Sequence, residues 1–141
     1  LYFNNFKELF IHFYGTVVES NDDLSDDIKN LPNDTGGIYV FYIKGLNLSF
    51  IENYILYIGR CQFTETQHIR KRAREYYKDT RDLIVEMFSR WKEHLYYRYY
   101  PDTNNERIKN NEIQLIRAIL PQYNEVIPDQ VDIQDSVPAF E

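Results

Sequence analysis

The sequence holds one cysteine, Cys61, in 141 residues. That excludes an internal disulfide framework and any zinc site built from several thiolates. No apolar run approaches the ~20 residues needed to span a bilayer, and no signal-peptide pattern opens the chain. A soluble, intracellular protein with no membrane partner is the expectation. The chain begins at Leu1 without a methionine, which reads as a fragment or a processed protein. Several catalytic signatures are also missing: there is no nucleophile elbow, P-loop, Rossmann glycine pattern or HExxH. The acidic, turn-rich stretch 19–36 lacks EF-hand spacing and reads as a solvated loop rather than a calcium site. Internal repeats and low-complexity segments are absent.

Net positive charge is lacking as well. The balance of −6 taken alone argues against a nucleic-acid partner. Its distribution qualifies that. Between Gly59 and Ile119 Lys and Arg outnumber Asp and Glu 13 to 9, whereas the remainder stands at 3 to 13. A basic middle is flanked by acidic ends. What the chain does have is apolar residues (43%) and tyrosine, with 13 of them, enough for a globular core. Tyrosine suits both cores and wet binding surfaces. A single domain over 1–141 is expected, with its core at 36–126. Residues 1–35 are expected as an N-terminal helix plus acidic loop, and 127–141 as a tail.

Taken in order, Phe6, Leu9, Phe10 and Phe13 lie at helical spacing, which predicts a packing helix over Asn5–Phe13. GGIYVFYIK and YILYIG are rich in β-branched and aromatic residues and predict strands over about 37–43 and 54–58. A helix follows in TQHIRKRAREYYKD, where Arg72 shares a face with Ile69, Ala73 and Tyr76. Leu83, Ile84, Met87, Phe88 and Trp91 mark another helix, and HLYYRYYP a third strand. Thr103 and Glu106 form a capping-box pattern opening a last helix to about Leu120, stopped by Pro121. Within it Glu112 lies among Ile108, Leu115, Ile116 and Ile119. The expected class is α+β, a small three-stranded antiparallel sheet flanked by helices.

Four residues need a common explanation: strand tyrosines Tyr39 and Tyr57, and two charges on apolar helical faces, Arg72 and Glu112. An unpaired buried charge is costly, so Arg72 calls for an internal carboxylate or an anionic ligand. Phosphodiester hydrolysis accounts for all four. It needs a water deprotonated, a cation to polarise the phosphate, and positive charge for the developing oxyanion. A tyrosine beside a cation can serve as base, and one carboxylate plus waters suits Mg²⁺. The residues alone do not say which tyrosine takes the proton. Each feature also has a plainer reading: core aromatics for the tyrosines, ion pairs for Arg72 and Glu112, surface or core polar residues for His68 and His94, inert packing for Cys61.

At these residues the chain resembles the GIY-YIG nucleases, with the motifs standing as Gly37-Ile38-Tyr39 and Tyr57-Ile58-Gly59. The resemblance continues through HIRKRAREYY, with Arg72 and Tyr76, and ends in NEIQLIRAILPQYN, with Glu112 and Asn124. It covers about 36–126 and departs from the family in the longer separations of Tyr39 from Tyr57 and of Gly59 from Arg72. It implies a metal-dependent DNA endonuclease with a catalytic set of Tyr39, Tyr57, Arg72, Tyr76 and Glu112. Glu112 would hold Mg²⁺, or Mn²⁺ in its place. Arg60, Arg70, Lys71, Arg74 and Asn124 would contact DNA. Two alternatives stand beside it: a non-catalytic DNA-binding module on the same scaffold, and a nuclease domain whose parent protein supplies DNA targeting.

Overall fold

A computed structural model of the protein describes residues 7–12 (backbone only), 26–43, 54–91 and 94–128. Along the chain run β1 (Lys7–His12), α1 (Asp26–Lys29), β2 (Gly36–Ile43), β3 (Tyr54–Cys61), α2 (Ile69–Glu75), α3 (Asp82–Trp91), β4 (Leu95–Asp102) and α4 (Asn105–Ile119). A single 3-10 turn, Tyr76–Lys78, extends α2. The architecture is α+β. The three expected strands pair antiparallel with β2 in the centre, and β1 adds a fourth, giving the order β1-β4-β2-β3. Among the described residues no helix is long and apolar enough to cross a membrane.

β2 is buried along its whole length because it has a neighbour on each side and helices on each face. Its alternation divides the core in two. Tyr39, Phe41 and Ile43 face a cluster with Tyr97 and Tyr99 of β4 and with Ile28, Ile69, Ala73, Ile84 and Met87 from α1, α2 and α3. Ile38, Val40 and Tyr42 face Ile108, Leu115 and Ile116 of α4. One residue's difference in position therefore decides which helical layer a side chain meets.

The helix expected over Asn5–Phe13 is instead the strand β1 at Lys7–His12, paired with β4. Within KELFIH, Phe10 and Ile11 are aromatic and β-branched residues that suit a pleated edge as readily as a helical stripe. The free edge of β4 supplies a partner that local spacing does not reveal. The capping box is also displaced by one residue. Asn104 caps α4, its side-chain oxygen accepting from the Arg107 N–H at 3.0 Å. Expectations for 19–25, the 44–53 connection, the His12 side chain and the tail beyond 128 lie outside the described residues.

The other edge, β3, is covered by the chain that follows α4. Leu120 takes the left-handed conformation (φ 53°), which turns Pro121–Asn124 back along the strand. The Tyr123 N–H then donates to the Leu56 carbonyl at 3.0 Å. Asn124 bonds the backbone of Ile58 twice, accepting from its N–H at 2.9 Å and donating to its carbonyl at 2.8 Å. An exposed strand edge is a template for unwanted pairing, and this segment occupies it.

Candidate functional site

Three glycines fix the strand backbones beneath the site. Gly37 has φ +145°, a region that L side chains rarely adopt, and a Cβ there would overlap the Tyr100 carbonyl. Gly59 lies opposite Tyr39 across the β2–β3 ladder, and its missing side chain leaves room for the Tyr39 ring. A Cβ on Gly36 would strike the Cys61 carbonyl. The tyrosine is thus held by an absence of side chains on the neighbouring strand.

Helix α2 brings the arginine to that ring. Its N-terminus is anchored by the loop before β2: the Ile69 N–H donates to the Thr35 carbonyl at 3.0 Å and the Arg70 N–H to that of Pro32 at 3.2 Å. His68 caps it, Nδ1 accepting from the Lys71 N–H at 3.3 Å. Burial and the neighbouring Arg70, Lys71 and Arg74 hold the His68 pKa below its ordinary value, so the imidazole stays neutral and able to accept.

From Arg72 a run of hydrogen bonds leads outward. Arg72 Nε donates to the Tyr39 hydroxyl at 3.1 Å, and the Tyr39 and Tyr76 hydroxyls share a 2.5 Å bond. Tyr76 in turn donates to the Tyr57 hydroxyl at 3.4 Å. Arg72 also reaches the Tyr76 hydroxyl at 3.5 Å and pairs through Nη1 with Glu75 Oε2 at 2.8 Å. Burial opposes the Arg72 charge, but Tyr39, Tyr76 and Glu75 outweigh it and keep the guanidinium protonated. Burial drives the Tyr39 pKa up despite the Arg72 charge, and it does the same to Tyr76, helped by Tyr39 and Tyr57. Both hold their protons at neutral pH. Tyr57, half-buried, is the one tyrosine of the run that reaches the surface.

Glu112 approaches from the other face of the sheet, on α4. Its side chain is 14% exposed and its nearest cation, Arg60, stands 3.6 Å away. Burial pushes its pKa up to about 7, against the pull of Arg60 and then Arg72. Because β3 is an edge strand, the two faces meet around it. Tyr57 and Glu112 line one open pocket of about 450 Å³ together with Arg81 and Tyr123. The structure therefore brings Tyr39, Tyr57, Arg72 and Tyr76 into one network, sets Glu112 on the pocket that Tyr57 lines, and pairs Arg60 with Glu112.

The other expected DNA contacts are placed differently. Both amide atoms of Asn124 are engaged by Ile58. Arg70 Nε donates to the Leu31 carbonyl at 2.5 Å and ties down the loop before β2. Lys71 is exposed, with Nζ on the Thr66 carbonyl at 2.9 Å. Arg74 Nε is buried and has no hydrogen-bond partner among the described residues. Cys61 is buried and its thiol is pushed up to about 12, chiefly by desolvation, which makes it packing rather than a nucleophile.

Sequence reasoning missed three residues here. Glu75 is the carboxylate that Arg72 called for, one turn along its own helix. Arg81, with Asp79, lies in the short connection before α3 and carries no periodic signal. Its guanidinium sits 5.9 Å from the Tyr76 ring centroid, and it lines the pocket together with Tyr57.

As a cation site, Glu112 offers one carboxylate, mostly buried and incompletely balanced by Arg60. No group of three His, Cys, Asp or Glu converges among the described residues. A lone carboxylate beside a phenol and open to water fits a cation that retains most of its hydration shell, as Mg²⁺ does. No protein family and no curated protein matches the chain.

Proposed function

We propose that this domain hydrolyses a phosphodiester bond of DNA, with Mg²⁺ held by Glu112. The observation carrying the reading is that the Arg72–Tyr39–Tyr76–Tyr57 run opens into the pocket that Glu112 borders. Tyr57 is the proton acceptor: it alone of the three tyrosines is half-buried, and the Tyr76 hydroxyl donates a hydrogen bond to its oxygen. Having first given its own phenolic proton to solvent, it takes a proton from a water whose oxygen forms the new bond to phosphorus. The bond to the sugar oxygen breaks in line, and that oxygen takes a proton from solvent. Arg72 offers its guanidinium to the charge that grows on the phosphoryl oxygens. Tyr39 is a positioning residue, since it is fully buried and fixes Arg72 through Nε. The metal, when bound, polarises the phosphate and neutralises part of its charge.

The test is cleavage of plasmid and branched DNA with Mg²⁺ and then with chelator. Wild type should nick or linearise DNA only with the metal. Glu112→Ala should retain a cooperative melt and lose cleavage by about 10²-fold or more. Undiminished Mg²⁺-dependent cleavage by that variant overturns the assignment, and DNA binding without any turnover by wild type points to a binding module.

A further inference from the structure

We propose that Arg81 is a second phosphate-binding residue of this site, seating the phosphate that neighbours the one being cut. The inference rests on the DNA-hydrolysis reading and adds to it a residue outside the Tyr39–Tyr57–Arg72–Glu112 set. Two guanidinium groups flank one ring: Arg72 lies 5.0 Å and Arg81 5.9 Å from the Tyr76 centroid. A nucleic-acid strand carries a charge at every nucleotide, so two cations set against one ring match successive phosphates.

Arg81 is also held in place rather than left to wander. Asp79 accepts from its backbone N–H at 2.9 Å, from Nε at 3.1 Å through each oxygen, and from Nη2 at 2.7 Å. That arrangement folds the side chain back over its own backbone and leaves the Nη1 edge of the guanidinium undirected toward Asp79. Burial would raise the Asp79 pKa, but the Arg81 bonds outweigh it, so the carboxylate stays charged and the hold persists. The Asp79 side chain is 12% exposed while Arg81 is 50% exposed. The anchor is inside and the cation is presented outward. The pocket wall that Arg81 shares with Tyr57 also carries Asp82 and Glu125. Arg81 supplies the positive charge that an incoming phosphate needs against them. Pre-orienting a rotamer-rich side chain also lowers the entropic cost of binding.

The experiment is a salt titration of binding to a fluorescein-labelled duplex oligonucleotide, with chelator present so that nothing is cut, followed by cleavage kinetics on the same duplex with Mg²⁺. Wild type, Arg81→Ala and Arg81→Lys are compared, with thermal melts confirming the fold of each. Arg81→Ala should weaken binding about tenfold at 0.1 M salt and flatten the log–log salt slope by about 0.9. Arg81→Lys keeps the charge and should keep the slope, while its weaker grip on Asp79 raises KM for cleavage several-fold. An Arg81→Ala slope equal to wild type, with KM unchanged, overturns the role of Arg81 alone. A wild type that neither binds nor cuts DNA overturns the hydrolysis reading beneath it.

Discussion

The Tyr39 ring occupies the space in which any residue but glycine at position 59 would place its Cβ, 2.6 Å from Cε2 and closer still to Cζ and the hydroxyl. The ring cannot retreat, because it stacks on Tyr97 at 5.7 Å and meets Tyr76 edge-on at 5.6 Å between centroids. Gly59→Ala should therefore destabilise the fold by about 1–3 kcal/mol. It should also lower cleavage about 10²-fold, since displacing Tyr39 displaces Arg72. Thermal melts and DNA cleavage of the purified variant check both parts.

Glu112 gives a pH signature in stability. Its folded pKa, about 7, lies above its ordinary 4.5, so the folded state takes up its proton before the unfolded chain does. The stabilisation it contributes is complete below about pH 4.5 and is lost as pH rises through 7. Glu112→Gln, without metal, should melt higher than wild type at pH 8 by about 1–3 kcal/mol and lose that advantage near pH 5. Added Mg²⁺ should raise the melting temperature of wild type at pH 8 and leave the variant unmoved.

Asn124 separates a structural role from a DNA-contacting one. Asn124→Ala removes both bonds to Ile58 and should cost about 1–3 kcal/mol. At a temperature where the variant is folded, its DNA affinity should keep the wild-type salt slope. A flattened slope would restore Asn124 to the DNA-binding surface.

Leu120 is held at φ 53° with 57% of its surface exposed, so it bears left-handed strain while burying little. Leu120→Gly should stabilise the protein by about 0.5–1 kcal/mol in denaturant titration, less than the strain removed because glycine loosens the unfolded chain.

The central strands, α2, α3 and α4 were legible because each carries its own periodicity. β2 alternates between two cores, and Arg72 rides the same helical stripe as Ile69, Ala73 and Tyr76. The site was legible where charge interrupted an apolar pattern, at Arg72 and Glu112. β1 was not, because the spacing of Leu9 and Phe10 fits either element and its partner β4 lies far along the chain. Arg81 and Asp79 gave no signal, since their meaning arises only when the turn after α2 folds over Tyr76. Asn124 and Arg70 looked like surface polar groups until the backbone carbonyls and N–H groups they satisfy came into view.

The strand order has a consequence for synthesis. β2 pairs with β4, whose first residue is made more than fifty residues after β2 ends, and β1 waits for the same partner. Until then a ribosome-bound chain displays GGIYVFYI with a single neighbour, β3, on one side. Such non-local pairing makes folding slow and leaves an adhesive ribbon open to other chains. The interval before LYYRYYPD emerges is where a chaperone, or a slower rate of translation, would alter the yield of this protein most.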